Sequence, residues 1–229
     1  ENLSKEIRNQ FQKISSNSSH EINVFLRKHG IKISVLEDLT TGLIKDQNSV
    51  RLNTVSELID YSYEVAGTVG LMMMPIINVN DQNAQKHAID LGIAMQLTNI
   101  ARDIYEDADM DRIYIPKEWI GEIDIQRLKD TKNNEIQNKI SNALEKIIKL
   151  SDIYYENGFN GMKYIPIRSR LAIFVAAQIY KGIGEKIKRN GFFYGNKRVY
   201  LTGFEKLLIT LRSIPKFFFI KQIYKKYST

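Results

Sequence analysis

Residues 96–107 of the chain read QLTNIARDIYED, and the polar residues in this stretch have the spacing of one side of an α-helix. At about 100° per residue, four of them fall within one arc of about 80°: Gln96, Asn99, Asp103 and Asp107. Two carboxylates four residues apart lie about 6 Å apart along the helix axis, and they repel each other unless a cation lies nearby. The stretch therefore predicts a helix that presents amides and carboxylates together on one face.

The acidic face of this helix has two interpretations. A D-x-x-x-D spacing alone is more typical of a hydrated helix surface than of a metal site. Hard oxygen ligands, however, suit Mg²⁺, which takes one or two carboxylates from a protein and completes its shell with water and substrate phosphates. Gly92 lies one turn before Gln96 on the same face. It predicts an open floor beside the amides, and this favours a binding site.

The composition of the chain limits the classes of protein to which it can belong. With 229 residues, of which 43% are hydrophobic, it is long enough for one domain with a sizeable core. It has no cysteine, so disulfides and zinc–thiolate sites are excluded, and a reducing compartment such as the cytoplasm is expected. The net charge of +7 is compatible with polyanionic substrates, anionic lipid or nucleic acid. Because the basic residues are spread out, without a recognition module, no nucleic-acid partner is expected.

Helical periodicity continues on both sides of the central stretch, and no segment shows the alternating pattern of a strand. Capping residues and glycines mark the ends of the predicted segments. The pattern predicts helices over residues 21–28, 35–45, 54–74, 84–107, 117–120, 125–129, 134–159 and 168–190. The chain is therefore predicted to be an all-α domain.

Two of the predicted helices carry further residues at helical spacing. On the first, Asp38, Gly42 and Asp46 are four residues apart, and the acids are as compatible with a hydrated surface as with a site. On the second, Tyr61 and Val65 belong to a stripe whose spacing alone favours core packing. The opposite face of that helix consists of small residues, which predicts the close approach of a neighbouring helix.

Two long motifs resemble the signatures of squalene and phytoene synthases. The first is YSYEVAGTVGLM at residues 61–72, and the second is LGIAMQLTNIARDIYED at residues 91–107, followed by RIYIP at residues 112–116. A looser resemblance extends from about Leu36 to Leu208. The length and order of the motifs identify the chain as a member of this family, which implies the isoprenoid synthase-type helical bundle with a central cavity.

The resemblance also implies an activity. The expected reaction is the head-to-head condensation of two geranylgeranyl diphosphates to phytoene through a cyclopropyl diphosphate, a step of carotenoid biosynthesis. Mg²⁺ is the expected cofactor, with Mn²⁺ as an alternative, and no NADPH is expected for phytoene. Squalene or dehydrosqualene synthesis from farnesyl diphosphate is the near alternative. A non-catalytic assembly factor of the same fold is the alternative from another class.

The same resemblance assigns roles to individual residues. The implied metal ligands are Asn99, Asp103 and Asp107. The implied catalytic residues are Asp103, Asp107, Tyr61 and Tyr180. The implied substrate-binding residues are Gln96, Asn99, Arg102, Arg198, Val65 and Asp46. Without the resemblance, Tyr180 is compatible with a simple core position, and a hydrated loop is the favoured interpretation of Arg198.

The two ends of the chain complete the prediction. The first aspartate-rich motif of the family does not occur in the sequence, so residues 1–229 are predicted to be a single, N-terminally truncated prenyl synthase domain. Residues 217–226 predict an amphipathic helix with aromatic residues on one side and lysines on the other. Such a helix either lies on an anionic membrane surface or packs on the domain. No segment approaches the roughly 18 uninterrupted apolar residues of a membrane span, so a cytoplasmic protein with optional membrane association is expected.

Overall fold

The computed structural model describes residues 2–17, 19–130, 132–193 and 198–220, and most of these residues are helical. In chain order, the helical segments are α1 (Asn2–Ser16), α2 (Glu21–Lys28), α3 (Ile33–Lys45), α4 (Val55–Ser62), a π-helical turn (Tyr63–Gly67), α5 (Thr68–Ile76), α6 (Ala84–Asp109), α7 (Lys117–Ile120), α8 (Ile125–Lys129), α9 (Asn134–Asn160), a 3₁₀ turn (Gly161–Tyr164), α10 (Ile167–Arg189) and α11 (Gly203–Phe218). The all-α prediction is confirmed.

Two short strands connect distant parts of the chain. Strand β1 (Val50–Arg51) pairs in parallel with β2 (Arg112–Ile113), and Val50 lies opposite Arg112. The sequence predicts no strand at either place, because two residues cannot show an alternating pattern. The pairing places the loop that follows α3 beside the loop that follows α6. It therefore brings the end of α3 close to the acidic end of α6.

Helices α6 and α9 form the centre of the core. Leu97 on α6 and Ile140 and Ile147 on α9 are completely buried. The burial of each such aliphatic side chain contributes about 1.5–3 kcal/mol. Helix α9 begins at Asn133, whose side chain accepts hydrogen bonds from two backbone N–H groups of the first turn. The apolar side of α6 is thus fixed by packing, and this fixes the direction of its polar side.

The helix that the sequence predicts over residues 54–74 has a different internal structure. It is divided into α4, the π-helical turn and α5, and it continues through Pro75 to Ile76. A π-helical turn contains one residue more than an α-helical turn, and such turns occur frequently at functional sites. Helix α6 also extends further than predicted, to Asp109.

The small-residue side of α5 and of the π-helical turn packs directly on α6. A Cβ atom at Gly70 would lie 2.3 Å from the carbonyl oxygen of Ala88, and a Cβ atom at Gly92 would lie 2.3 Å from that of Ala66. The predicted close approach of a helix on this side is therefore confirmed. Gly92 itself lines an open cavity beside Gln96 and Asn99, as the predicted open floor requires, although a Cβ atom there would meet the backbone of the π-helical turn.

The last helix of the described residues is not among the predicted helices. Helix α11 starts at Gly203, and Thr202 and Glu205 form a capping box at its N-terminus. The sequence predicts a basic helix over residues 217–226, and residues 221–229 lie outside the described residues. None of the helices described combines the length and the hydropathy of a membrane-spanning segment.

Candidate functional site

The C-terminal half of α6 holds the two amides of the predicted polar row side by side. Nδ2 of Asn99 donates to Oε1 of Gln96 over 3.3 Å. The Oδ1 atom of Asn99 is buried and has no hydrogen-bond partner within the described residues. A buried acceptor without a partner costs about 1–3 kcal/mol of stability. A ligand that donates a hydrogen bond to this oxygen, or a cation that binds to it, would therefore recover this cost, and its binding would be more favourable.

Asp103, one turn beyond Asn99, lies between two arginines. Arg102 donates from Nε to Oδ1 over 2.6 Å and from Nη2 to Oδ2 over 2.5 Å. Arg198, from the segment that precedes α11, places Nε 2.8 Å from Oδ1 and Nη2 3.2 Å from Oδ2. Two guanidinium groups therefore share one carboxylate. Arg198 also pairs with Glu106 over 3.4 Å, so the two arginines are balanced by two carboxylates. Their planar guanidinium groups have the form that binds phosphate oxygens in pairs.

Arg102 also lies beside Tyr180 of α10. Burial disfavours the charged form of Arg102, but the bond to Asp103 outweighs burial and raises the pKa of Arg102, and Tyr180 acts in the same direction. The side chains of Arg102 and Asp103 are only 13% and 16% exposed. Solvent screens their charges less than those of a surface pair. Arg102 therefore carries a fixed positive charge beside Asp103 and Tyr180.

Asp107 lies at the acidic end of the row. Burial and the neighbouring Asp103 raise the pKa of Asp107 to about 7, with smaller contributions from Asp46 and Glu106, while Arg112 acts in the opposite direction. The carboxyl group has no ion pair or hydrogen bond within the described residues. Several acids so close together favour either a bound cation or a proton on Asp107.

The residues predicted as metal ligands fit a hard cation in part. Asn99 offers an unpartnered oxygen, and Asp107 offers a carboxyl group in a field of other acids. Asp103 is already bound by two arginines, so it would have to exchange one of them for an ion. No group of three histidine, cysteine, aspartate or glutamate side chains is arranged for a metal in the part of the chain described. A cation at this place would therefore need the amide oxygen of Asn99 and the phosphate oxygens of a bound substrate as further ligands.

An apolar cavity of about 400 Å³ extends from this polar cluster along α6. Residues of α6 line it at nearly every turn from Ala84 to Asn99, a distance of about 22 Å at 1.5 Å per residue. Gln96, Asn99 and Tyr180 form its polar end. At the other end, the cavity wall belongs to the buried cluster of Met74, Val79 and Ala84. The space suits a long apolar chain with a charged head.

The structure brings several of the predicted residues to this cavity and places Tyr61 elsewhere. Val65, Gln96, Asn99 and Tyr180 all line the wall. Tyr61 is 3% exposed and is not among the lining residues. Burial, together with nearby Tyr114 and Asp46, raises the pKa of Tyr61 well above its ordinary value. Tyr61, which the resemblance implies to be catalytic, therefore lies outside the cavity wall, and its hydroxyl group donates to Asp46 in a buried polar cluster.

Asp46 is the centre of that buried cluster. Its carboxylate accepts hydrogen bonds from Tyr61 over 2.9 Å and from Tyr114 over 2.7 Å. The two tyrosine rings stack with their centroids 4.6 Å apart. Arg112 donates to the backbone carbonyl group of Asp46. Asp46 thus lies next to the acidic end of α6 and binds tyrosines there, and it does not line the cavity.

Sequence reasoning assigned no role to Tyr114 or Arg112. Both lie in RIYIP, the short motif that follows the acidic helix. Their contacts depend on the pairing of β1 with β2, which has no signal in the sequence. Their position directly after the acidic stretch was the one signal that could have identified them.

The profile of the squalene/phytoene synthase family matches residues 5–205. The chain belongs to this family. It is 36% identical over 183 residues to the 15-cis-phytoene synthase of Enterobacter agglomerans, a match that covers 79% of this chain and 61% of that protein. It is 32% identical over 193 residues to the phytoene synthase of Thermus thermophilus, with coverage of 84% and 64%. The chain therefore spans about three fifths of the length of these family members.

Two solved structures have the same helical fold. A dehydrosqualene synthase crystallised with a ligand superposes with a TM-score of 0.69 at 28% identity, which covers 81% of this chain and 65% of that one. YisP from Bacillus subtilis superposes with a TM-score of 0.68 at 20% identity, with coverage of 91% and 83%. The fold is therefore the isoprenoid synthase-type bundle that the motifs imply.

Proposed function

We propose that the complete protein joins two prenyl diphosphates head to head, and that it makes phytoene from geranylgeranyl diphosphate. One observation carries the proposal: a long apolar cavity ends at Gln96, Asn99 and Tyr180, and one helical turn beyond Asn99 the carboxylate of Asp103 binds Arg102 and Arg198. This arrangement suits a ligand with an apolar tail and a diphosphate head. The phytoene synthases that are 32–36% identical to the chain support the choice of product.

The proposed reaction has two steps. In the first, one substrate loses diphosphate, the double bond of the second attacks the resulting allylic cation, and a proton leaves to give a cyclopropyl diphosphate. In the second, this intermediate loses its diphosphate, rearranges, and loses a second proton to give phytoene. No electrons are gained overall, so no NADPH is required.

The polar cluster has the properties needed to bind the leaving group. Arg102 and Arg198 can form paired hydrogen bonds with diphosphate oxygens, as they do here with the carboxylate of Asp103. Asn99, Asp103 and Asp107 would hold Mg²⁺, or alternatively Mn²⁺. When bound, this ion would neutralise negative charge on the departing diphosphate.

The cavity has the properties needed to protect a cation. Its apolar wall keeps water from the allylic cation, which would otherwise be captured as an alcohol. Tyr180 presents an aromatic ring on this wall, and aromatic faces attract positive charge. Val65, within the π-helical turn, shapes the wall, and Gln96 orients polar groups at the end of the cavity. Tyr61 and Asp46 would act one layer further out, by holding the acidic end of α6 in place.

A specific observation supports one alternative substrate. Because a dehydrosqualene synthase superposes on the chain at 28% identity, farnesyl diphosphate is the natural alternative substrate. Squalene would additionally require a reductant. The higher identity to phytoene synthases favours geranylgeranyl diphosphate.

A product assay on the complete protein tests the proposal. The protein is supplied with geranylgeranyl or farnesyl diphosphate and Mg²⁺, with and without NADPH, and the extracted hydrocarbon is identified by mass spectrometry. Phytoene without reductant is the expected result. Dehydrosqualene, or squalene only with NADPH, would replace the proposed substrate by the shorter one. No hydrocarbon from a folded protein would favour a non-catalytic member of the family.

A further inference from the structure

One face of α3 packs against the segment that contains the π-helical turn. At about 100° per residue, four residues of α3 and its C-cap fall within one arc of about 100°: Asp38, Gly42, Lys45 and Asp46. The sequence alone leaves open whether the acids in this row belong to a hydrated surface or to a site. In the structure all four residues lie against residues 61–65, so this face belongs to an interface inside the domain.

Two polar contacts hold the π-helical turn on either side of Gly42. Asp38, one turn before Gly42, accepts a hydrogen bond from the hydroxyl group of Tyr63 over 2.8 Å. Lys45, almost one turn after Gly42, places Nζ 2.6 and 2.7 Å from the two carboxylate oxygens of Glu64. The side chain of Glu64 is only 16% exposed, so solvent screens this ion pair less than a surface pair. Helix α3 is thus tied to the turn before and after Gly42.

Gly42 lies between these two contacts, where the backbone of α3 comes close to the cavity wall. It is buried, and a Cβ atom there would lie 2.7 Å from Cγ1 of Val65 and 2.9 Å from Cβ of Glu64. Val65 also lines the cavity, so its side chain is enclosed between α3 and the cavity. Because a β-branched side chain in a helix has one strongly preferred rotamer, Val65 does not turn aside readily from an added group.

This contact lies part-way along the cavity. Ala66, which follows Val65, has its carbonyl oxygen 2.3 Å from the position of a Cβ atom at Gly92. Gly92 is seven residues before Asn99, so this part of the wall is about 10 Å from the polar end along the axis of α6. An extended prenyl chain of one isoprene unit is about 5 Å long, and one of four units is about 20 Å long. Only the longer chain passes Val65.

We propose that Gly42 is a positioning residue for the prenyl chain, and that it sets the width of the cavity at Val65. The contacts of Asp38 and Lys45 hold α3 in place, so a methyl group added at Gly42 would move Val65 toward the cavity. Gly42 does not itself line the cavity, and it would act on the ligand only through Val65. The inference rests on the proposed function in one respect, which is that a prenyl chain occupies the cavity.

Binding of two probes to the complete protein in the presence of Mg²⁺ tests the proposal. The probes are geranylgeranyl and dimethylallyl thiolodiphosphate, which share a head group that ionises slowly and differ in the length of the chain. Calorimetric titration measures both dissociation constants. In Gly42→Ala, the dissociation constant of the long probe is expected to rise about tenfold, and that of the short probe is expected to stay within about twofold. A general loss of structure would affect both probes.

A second pair of variants tests whether the effect passes through Val65. Gly42→Ala/Val65→Ala lacks the side-chain atom that lies nearest to the new methyl group. It is expected to bind the long probe within about threefold of Val65→Ala alone. This pair also decides the question if Gly42→Ala alone does not fold, because the closest overlap is then removed.

Gly184→Ala is the matched control. Gly184 is also a buried glycine within a helix, but it lies outside the cavity wall. A Cβ atom there would lie 3.4 Å from Cδ1 of Ile148, which is an ordinary contact distance. This variant is expected to bind both probes as the unaltered protein does.

Three outcomes would overturn the proposal and leave the proposed function intact. The first is an equal loss of affinity for both probes in Gly42→Ala, and the second is unchanged affinity for the long probe in that variant, because α3 would then move instead of Val65. The third is a double variant that binds the long probe about tenfold more weakly than Val65→Ala. If the unaltered protein does not bind the long probe, the proposed function fails, and this inference fails with it.

Discussion

Helix α6 has two halves that differ in almost every property. Its first half, from Ala84 to Met95, forms a wall of the apolar cavity and packs so closely on the π-helical turn that Gly92 has no room for a side chain. Its second half, from Gln96 to Asp109, carries Asp103 and Asp107, the unpartnered amide oxygen of Asn99, and Arg102, which is bound to Asp103. No side chain of the first half belongs to the polar cluster, and the packing of the first half fixes the position of the second. One helix thus connects the apolar cavity, which suits the tail of a substrate, to the polar cluster, which suits its charged head group.

The largest effect is expected from removal of charge in the second half of α6. Asp103→Asn with Asp107→Asn keeps the shape of both side chains but removes both carboxyl groups from the polar cluster. If the proposed function is correct, turnover falls by about a hundredfold or more, which is about 3 kcal/mol on the barrier. Steady-state product formation measures this effect, and circular dichroism is expected to show unchanged helicity.

A matched substitution on the same helix controls for the double variant. Asp109 also lies on α6, but its side chain is 58% exposed and is bound to Lys129. Asp109→Asn is expected to leave turnover within about twofold, since exposed pairs contribute little. Undiminished turnover in the double variant would remove Asp103 and Asp107 from the mechanism.

The next effect is expected from added volume in the first half. In Gly92→Ala, the new methyl group would meet the carbonyl oxygen of Ala66 at 2.3 Å, so α6 and the π-helical turn must move apart. We expect the free energy of unfolding to fall by about 1–3 kcal/mol. Urea denaturation measures it. Gly203→Ala is the control, because a Cβ atom there meets nothing within 4 Å; equal losses in both variants would show that close packing is not the cause.

A smaller effect is expected beside the second half, in the tyrosine cluster. Tyr114→Phe removes a hydrogen bond of 2.7 Å to Asp46 and keeps the stacked ring. The free energy of unfolding is expected to fall by about 1 kcal/mol. Tyr200, which is 69% exposed, provides Tyr200→Phe as a control that is expected to be neutral in the same urea titration. A neutral Tyr114→Phe would mean that water replaces the lost hydroxyl group.

The smallest effect is expected from Asp90, an acid in the first half of α6. Asp90 is 5% exposed, its Oδ2 atom has no partner among the described residues, and burial raises its pKa above 3.8. An acid whose pKa is raised on folding favours the folded state at low pH, and this contribution is lost as the pH rises through the raised pKa. Asp90→Asn is therefore expected to be more stable than the unaltered protein at pH 7.

The pH dependence of this difference provides the check. Urea midpoints of the two proteins are expected to converge as the pH falls below 3.8, where Asp90 is protonated in both the folded and the unfolded state. A variant that is less stable than the unaltered protein at pH 7 would show that the charged form of Asp90 has a stabilising partner.

The helical architecture follows from the sequence because its determinants are local. The bounds of α2, α7 and α8 agree with prediction, since capping residues and apolar spacing mark them within a few residues of chain. The row of Gln96, Asn99, Asp103 and Asp107 depends only on helical spacing, and the structure places it as predicted. Arg198 is 95 residues from Asp103, and its approach to that carboxylate could be expected from family resemblance alone.

The features that the sequence does not predict depend on distant contacts. The buried position of Tyr61 follows from the pairing of β1 with β2, which brings Tyr114 and Asp46 to it. The π-helical turn has no local signature, because it is stabilised by packing against α6. The start of α11 at Gly203 was missed although Thr202 and Glu205 form a capping box, and that signal was present in the sequence.

The π-helical turn makes the site sensitive to the number of residues in this helix as well as to their identity. Each residue inserted or deleted in a helix rotates everything that follows by about 100°. Val69 and Met73, which line the cavity, come after the turn, and Tyr61 comes before it. Loss of a single residue from the turn would leave the composition of the helix nearly unchanged but would turn both cavity residues to another side. Chain length between the tyrosine and the cavity wall is therefore itself a determinant of the pocket.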